Sequence, residues 1–243
     1  MPPLLLTPHP SLLSKTGWED FFSSEAVKKE LQKIEKFLEG PSPSFNPPLD
    51  KVLRFTGLEL SRVKIIILGQ DPYPQAGAAT GRAFEVGTLE SWQTPFRNTS
   101  LKNIVRALYQ YYTGSTKKYL EILPEIGKTF PLPSPQNLFA IWEEQGVLLL
   151  NTSLTCALGK PGSHAALWSD FTTLLVEFLS QRLPRALWIL WGNHAQRQLA
   201  PFPSVHTLRS RHPMLCAPGH PADFLFGEQN CFRETKNLIN WLG

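Results

Sequence analysis

The sequence predicts a single α/β domain with a central four-stranded parallel sheet flanked by helices. Three observations carry this. Apolar runs without period-2 alternation occur at Val63 with Ile65–Leu68, at Gly146–Leu150 and at Ala186–Trp191, and each reads as a strand buried on both faces. Segments of helical period separate these runs, which is the pattern of parallel βαβ units. Each strand then ends in a polar group: Gln70/Asp71, Asn151, Asn193, and His212 after a fourth strand at Val205–Arg211. Open α/β sheets bind ligands at the carboxyl ends of their strands, so these groups are expected to converge on one site. A length of 243 residues accommodates one such domain with a full core.

The totals limit the function classes. An apolar content of 42% with 11% aromatic residues excludes a disordered chain. The net charge of +4 suits a polyanionic partner without proving one, and with no long basic run any basic surface must be assembled by folding. Cys156, Cys216 and Cys231 are odd in number and lack CxxC spacing, which argues against a disulfide framework or a zinc site and for a reducing compartment. The N-terminus is broken by prolines and has no basic segment, so it reads as neither signal peptide nor membrane span. No run approaches the ~18 apolar residues of a spanning helix.

Taken in order, residues 1–17 read as an extended N-terminal arm to a single domain of residues 1–243. Trp18–Leu38 is helical, with Ser23 or Ser24 capping the part from Glu25 and with Leu31, Ile34 and Leu38 on one face. Gly40–Pro48 is a loop, and Asp50–Phe55 a short helix leading into the first strand. After an irregular stretch from Glu85 to Asn98, Thr99–Leu108 reads as a capped helix with Leu101, Ile104, Val105 and Leu108 at helical spacing. Tyr111–Pro135 is a mixed tract of loop and short helical pieces. Asn137–Gln145 is a short helix before the second strand, and Gly159–Gly162 a loop. Trp168, Phe171, Leu175 and Phe178 mark a long helix to about Gln181, stopped by Pro184. A helix from Gly192-Asn193 to Leu199 follows the third strand, and Phe232–Leu242 closes the chain as a helix.

The chemistry concentrates in Gly69-Gln70-Asp71-Pro72-Tyr73 and, a short loop later, Thr80-Gly81-Arg82-Ala83-Phe84. An Asp after a strand commonly makes a turn or caps a helix. It also serves as a general base, or as an anion facing a developing cation. With Gly146-Val-Leu-Leu-Leu-Asn151-Thr-Ser-Leu-Thr155 and His212-Pro213-Met214-Leu215, these motifs resemble, in order and over nearly the whole chain, those of the Ung-type uracil-DNA glycosylases.

The resemblance implies a role for each matching residue. Asp71 and His212 would be catalytic, Asp71 orienting a water and facing the oxocarbenium-like sugar, His212 donating to uracil O2 as the base leaves. Gln70, Tyr73, Phe84 and Asn151 would bind uracil. Tyr73 would be a wall against the thymine methyl, Phe84 a stacking platform, and Asn151 the amide that reads N3–H and O4. Ser100, Gly192, Asn193, Met214 and Leu215 would contact DNA.

The chain departs from the family at several points. Pro95-Phe-Arg-Asn-Thr-Ser100 replaces a run of prolines, Gly192-Asn193 replaces Gly-Ser, and the segment after His212 is one residue shorter. Leu215 is therefore the first choice for the wedge that enters the vacated stack, and Met214 the second. Pro74 replaces a more usual His. Arg82 stands where an apolar residue is usual and reads as an added phosphate contact.

The implied activity is hydrolysis of the N-glycosidic bond of flipped-out uracil in single- or double-stranded DNA, leaving an abasic site for base excision repair. No metal and no cofactor is implied. Expected partners are DNA, abasic-site repair enzymes and a phage-type inhibitor protein, with no membrane, a monomeric chain and a cytoplasmic location, nucleoid-associated if bacterial. A relative with altered base range and a DNA-binding scaffold without catalysis are the other readings. Tyr73 with Asn151 argues against the first, Asp71 with His212 against the second.

Overall fold

The computed structural model describes residues 6–41 and 44–243. Ahead of the sheet lie α1 (Pro10–Thr16), α2 (Glu19–Ser23), α3 (Glu25–Leu38), the two-residue strand β1 (Phe45–Asn46) and α4 (Leu49–Val52). Then come β2 (Ile65–Gly69), α5 (Thr99–Thr113), α6 (Tyr119–Ile122), α7 (Pro135–Glu144), β3 (Val147–Asn151) and β4 (Cys156–Ala157). The chain continues through α8 (Ala165–Arg182), β5 (Leu187–Trp191), α9 (Gly192–Leu199), β6 (His206–Ser210) and α10 (Cys231–Glu234).

The main sheet has four strands in the order β3-β2-β5-β6, all parallel. The chain steps from β2 outward to β3, then returns past β2 to β5 and on to β6, so the winding reverses between β2 and β5. That reversal opens a crevice at the strands' carboxyl ends. The pairing shows it directly. β2 and β3 stay in register from Ile65↔Val147 to Gly69↔Asn151, whereas β2 and β5 pair only from Ile65↔Leu187 to Ile67↔Ile189. Beyond Ile67 the two central strands part.

The unalternated strands are apolar on both sides because each side meets its own core. Ile66, Leu68, Leu148, Leu150, Trp188 and Leu190 pack with Trp18, Ile34, Trp168 and Phe171 of the first layer. Ile65, Ile67, Val147, Leu149, Ile189 and Trp191 pack with Ile104, Leu108, Trp142 and Phe232 of the second. At about 25 cal/mol per Å² of apolar area removed from water, these two layers are the main source of stability.

The expected α/β architecture and all four sheet strands are present. Several local expectations are corrected. Residues 1–17 were expected to be extended; residues 1–5 lie outside the described residues, and Pro10–Thr16 forms α1. Pro10 occupies its first turn, the His9 side chain accepts from the Ser11 N–H, and Leu13 is buried in the core, so packing fixes this segment as a helix. The Trp18–Leu38 helix breaks at Ser24, which is extended (φ −61°, ψ 129°) and makes no side-chain cap bond. The Gly40–Pro48 loop, of which residues 42–43 lie outside the described residues, contains β1, paired antiparallel with β4. The expected Asp50–Phe55 helix is α4 followed by a 3₁₀ turn at Arg54–Gly57. α5 runs beyond Leu108 to Thr113, where Gly114 closes it in a left-handed conformation.

The expected Phe232–Leu242 helix is reduced to α10. Thr235 leaves the helical region, and its hydroxyl both donates to the Cys231 carbonyl and accepts from the Trp241 indole N–H at 2.9 Å. The turns that follow seat Trp241 against Trp142, whose indole N–H donates to the Trp241 carbonyl at 2.9 Å. Burying two indoles with both N–H groups satisfied outweighs continuing an exposed helix.

Candidate active site

The parting of β2 from β5 leaves a cleft of about 290 Å³ at the carboxyl end of the sheet. Its walls are Gly69 at the end of β2, Gln70, Asp71, Pro72, Tyr73 and Pro74 after it, with Phe84, Ser100, Asn151, Pro161 and His212. Seven of the residues singled out from sequence therefore share one cavity: Gln70, Asp71, Tyr73, Phe84, Ser100, Asn151 and His212.

Asp71 follows β2 directly. Its Oδ1 is buried without a hydrogen-bond partner. Burial raises its pKa above the ordinary 3.8, and hydrogen bonds from the Gln70 side chain and the Gly162 backbone N–H oppose that rise in part. A half-buried, half-satisfied carboxylate is costly unless something else uses it. The loop that carries it is tied down. The Asn46 amide donates to the Tyr73 carbonyl at 3.0 Å and to the Gln75 carbonyl at 2.5 Å, and the Cys156 thiol donates to the Pro72 carbonyl at 3.3 Å.

Asn151 ends β3, is buried, and lines the cleft. It stands directly across from Gly69 in the parallel register. A β-carbon on Gly69 would clash with Asn151 Oδ1 and would lie 2.9 Å from the Ala83 β-carbon. Gly69 is thus the vacancy into which the amide turns.

His212 lies two residues beyond β6, at the start of the Pro213–Leu215 turn. Its Nδ1 accepts the Met214 backbone N–H at 3.2 Å, which in the neutral ring puts the proton on Nε2. Burial lowers the pKa from 6.5, and the neighbouring His194 lowers it further, so the ring is neutral at pH 7. Gly192, at φ 87°, is the partner surface: a β-carbon there would meet the His212 β-carbon at 2.8 Å. Gly192 makes room for His212, a role its position in the sequence does not reveal.

Tyr73 and Phe84 form the aromatic wall. Burial pushes the Tyr73 phenol up to about 12, so it stays protonated, and it donates to the Phe84 carbonyl at 3.4 Å. Phe84 is the only non-glycine residue with positive φ among the described residues, at 67°. Its ring packs edge-on to Trp191 at 5.0 Å between centroids and lies 6.2 Å from the His212 ring.

The remaining expected residues sit around the cleft. Ser100 is in the first turn of α5 and Asn193, exposed, in the first turn of α9. Met214 and Leu215 lie on a 3₁₀ turn at Pro213–Leu215 and are 58% and 54% exposed, an uncommon state for two adjacent large apolar residues. The Asn103 amide holds this turn to α5 by donating to the Pro213 carbonyl at 2.6 Å.

Arg82 departs from expectation. Its side chain is only 9% exposed, and it is paired to Glu85 at 3.0 Å and Glu143 at 2.5 Å, so it is not available to a phosphate. Pro161 and Asn103 are the residues that sequence reasoning missed; neither stands in a motif with a chemical signal, and only packing brings them to the site. Gly69 belongs to the Gly69–Tyr73 motif, but its part in placing Asn151 shows only in the sheet register. Among the described residues, no three His, Cys, Asp or Glu side chains gather as a metal-ligating group.

Comparison with known proteins identifies the family and the fold. The family model of the uracil DNA glycosylase superfamily matches residues 57–240. A uracil-DNA glycosylase of Pseudomonas aeruginosa (strain UCBPP-PA14) is 33% identical over 241 residues, covering 93% of this chain and 94% of the relative. One of Vibrio vulnificus (strain YJ016) is 34% identical, covering 92% and 95%. The crystal structure of wild-type UNG from Nitratifractor salsuginis superposes with a TM-score of 0.64 at 26% identity, covering 86% of this chain and 91% of that one. Mimivirus UNG Y322L, solved in complex with UGI, shares the fold with a TM-score of 0.64 at 22% identity, covering 86% and 71%. With the family model spanning all four strands of the main sheet and relatives matching nearly end to end, this chain belongs to the uracil DNA glycosylase superfamily.

Proposed function

We propose that this chain excises uracil from DNA by hydrolysing the N-glycosidic bond and leaving an abasic site. The observation that carries this reading is the meeting, in one cleft, of an unpaired Asp71 oxygen, the Asn151 amide and a neutral His212 whose Nδ1 is already engaged. Together they offer a carboxylate, an amide and a ring N–H to a ligand.

The steps follow from the chemistry. The bond between C1′ and uracil N1 breaks with its electrons going to the base, which leaves as an anion, and positive charge develops on the sugar. Asp71, held as a carboxylate, faces that charge and orients the water that adds to C1′; the water's proton passes to Asp71 and then to solvent. His212 Nε2–H donates to uracil O2, where the anion's charge collects, as a preorganised donor. Asn151 Oδ1 accepts from N3–H and its amide donates to O4. Cytosine presents an acceptor and a donor in the reverse order and is refused. Tyr73 fills the space a 5-methyl group needs, and Phe84 stacks on the base.

The cleft admits one base, not a duplex, so the nucleotide must leave the helix before it reacts. Extruding it costs a few kcal/mol. Ser100 and Gly192-Asn193 would hold the flanking phosphates, and Leu215, with Met214 as the other candidate, would fill the vacated stack. The same DNA-facing surface would take an inhibitor protein of the UGI kind. Among the described residues, no helix is long and apolar enough to cross a membrane, and a cytoplasmic place beside the nucleoid fits a DNA substrate.

The test is release of free base from uracil-containing oligonucleotides, single-stranded and duplex, with cytosine and thymine controls. Uracil alone should be released from both forms. Release of thymine or cytosine at a comparable rate, or of no base at all, would overturn the reading.

A further inference from the structure

The mechanism assigns no role to the cluster of Arg82, Glu85, Glu143 and Thr80 beside the cleft. Arg82 Nη1 pairs with Glu85 at 3.0 and 3.2 Å to its two carboxylate oxygens, and Nη2 reaches Glu143 on α7 at 2.5 Å. The Thr80 hydroxyl donates to Glu85 at 2.5 Å and accepts the Arg82 backbone N–H at 3.2 Å. Glu85 is buried.

Phe84 lies between Arg82 and Glu85 in the chain. Arg82 and Glu85 are the first and fourth residues of a turn whose third residue is Phe84, at φ 67°. A positive φ at the third position ordinarily calls for glycine or asparagine, and a phenylalanine persists there only when its surroundings over-determine it. Ala83 gives one anchor, its N–H donating to the Leu149 carbonyl of β3 at 3.2 Å. The Arg82–Glu85 pair gives a second, across the strained residue, and Glu143 a third, to the helix behind. Ion pairs this deep hold geometry more than they add stability, because desolvation offsets their attraction.

We propose that Arg82 is a positioning residue for the base cleft, holding the Phe84 ring in place by ion-pairing across it to Glu85 and back to Glu143. This rests on Phe84 as the stacking surface of the proposed function, and it gives the apolar-to-Arg departure at this position a purpose other than phosphate binding.

The test is Arg82→Gln in the wild-type and Phe84→Ala backgrounds of the full chain. Four readouts are taken: amide hydrogen exchange over residues 80–86, inhibition of excision by free uracil, the salt dependence of DNA affinity, and thermal unfolding. If Arg82 acts through Phe84, Arg82→Gln speeds exchange in the loop and weakens uracil inhibition about tenfold, the scale of one base stack. In the Phe84→Ala background it should change uracil inhibition by less than about twofold, since coupled residues are not additive. The salt slope should be unchanged, whereas loss of a phosphate contact would lower it by about one ion.

Unchanged loop exchange overturns the inference whether or not the chain releases uracil, which keeps it separable from the proposed function. A lowered melting temperature with unchanged uracil inhibition, an equal effect in both backgrounds, or a reduced salt slope also overturns it.

Discussion

Gly69 and Asn151 face each other across the parallel register of β2 and β3, and the Asn151 amide occupies the space that a side chain on Gly69 would need. The residue proposed to read the base is therefore aimed by an absence. Gly192 does the same for His212.

Gly69→Ala should leave a folded protein with a displaced Asn151. A misplacement near 1 Å at a reacting site costs about a hundredfold, so uracil release should fall on that scale. Circular dichroism and uracil release together check this. A folded variant with a near wild-type rate would mean that Asn151 does not hold the base.

Asp71→Asn should retain oligonucleotide binding and lose about 10²–10⁴-fold in turnover, the usual contribution of a positioned acid or base. Burial raises the Asp71 pKa, so the wild-type rate should fall as pH drops through a midpoint above the ordinary 3.8. The stability sign runs opposite to that of a salt-bridged carboxylate. The folded state keeps this proton to higher pH than the unfolded chain does, so ionisation costs stability, and the cost is complete above the folded pKa. At pH 7 the Asn variant should therefore melt at or above the wild-type temperature. A clearly lower melting temperature would contradict a half-satisfied carboxylate whose ionised form burial disfavours.

His212 should titrate below 6.5, because burial and His194 both disfavour the cation. Its lowered pKa contributes stability that is present above the unfolded value and lost as pH falls toward the folded one. Nitrogen NMR of the ring should show a neutral form with the proton on Nε2 at pH 7, with Nδ1 engaged by the Met214 N–H. His212→Gln should lower turnover about 10²–10³-fold, the loss seen when one preorganised donor is removed. A ring that is cationic at pH 7 would exclude the proposed role.

Leu215→Ala should lower excision from duplex DNA much more than from single strands, which have no pairing to break, with a deficit of about tenfold if the wedge supplies part of the few kcal/mol of extrusion. Met214→Ala should show a smaller duplex-specific loss. Both side chains are more than half exposed on the turn after His212. Equal loss on both substrates would make Leu215 a packing residue, and a larger duplex-specific loss for Met214 would shift the wedge by one position.

The legible parts of the fold were those set by local pattern. Ile65–Leu68 and Val147–Leu150 read as doubly buried strands because a parallel strand has a core on each face. Asp71, Asn151 and His212 were legible because strand ends are where such sheets place ligands, and because their motifs resemble a known family. The segments read otherwise than they fold are those where a distant partner decides. α1 forms because Leu13 is buried in the core, and the C-terminal helix stops because Trp241 seats against Trp142. Arg82 looked like a free cation until Glu85 and Glu143 came within 3.0 Å of it.

The sequence by itself determined the strand–helix alternation, the polar group at each strand end and the chemistry those groups can perform. Those are properties of residue type and short spacing, which the chain carries at every point. The tertiary structure alone decided that β2 and β5 part after Ile67, that Gly69 and Gly192 clear space for Asn151 and His212, and that Arg82 pairs with Glu143 on α7. Those are contacts between residues far apart in the chain, and they exist only once two separate cores have fixed the strands against one another.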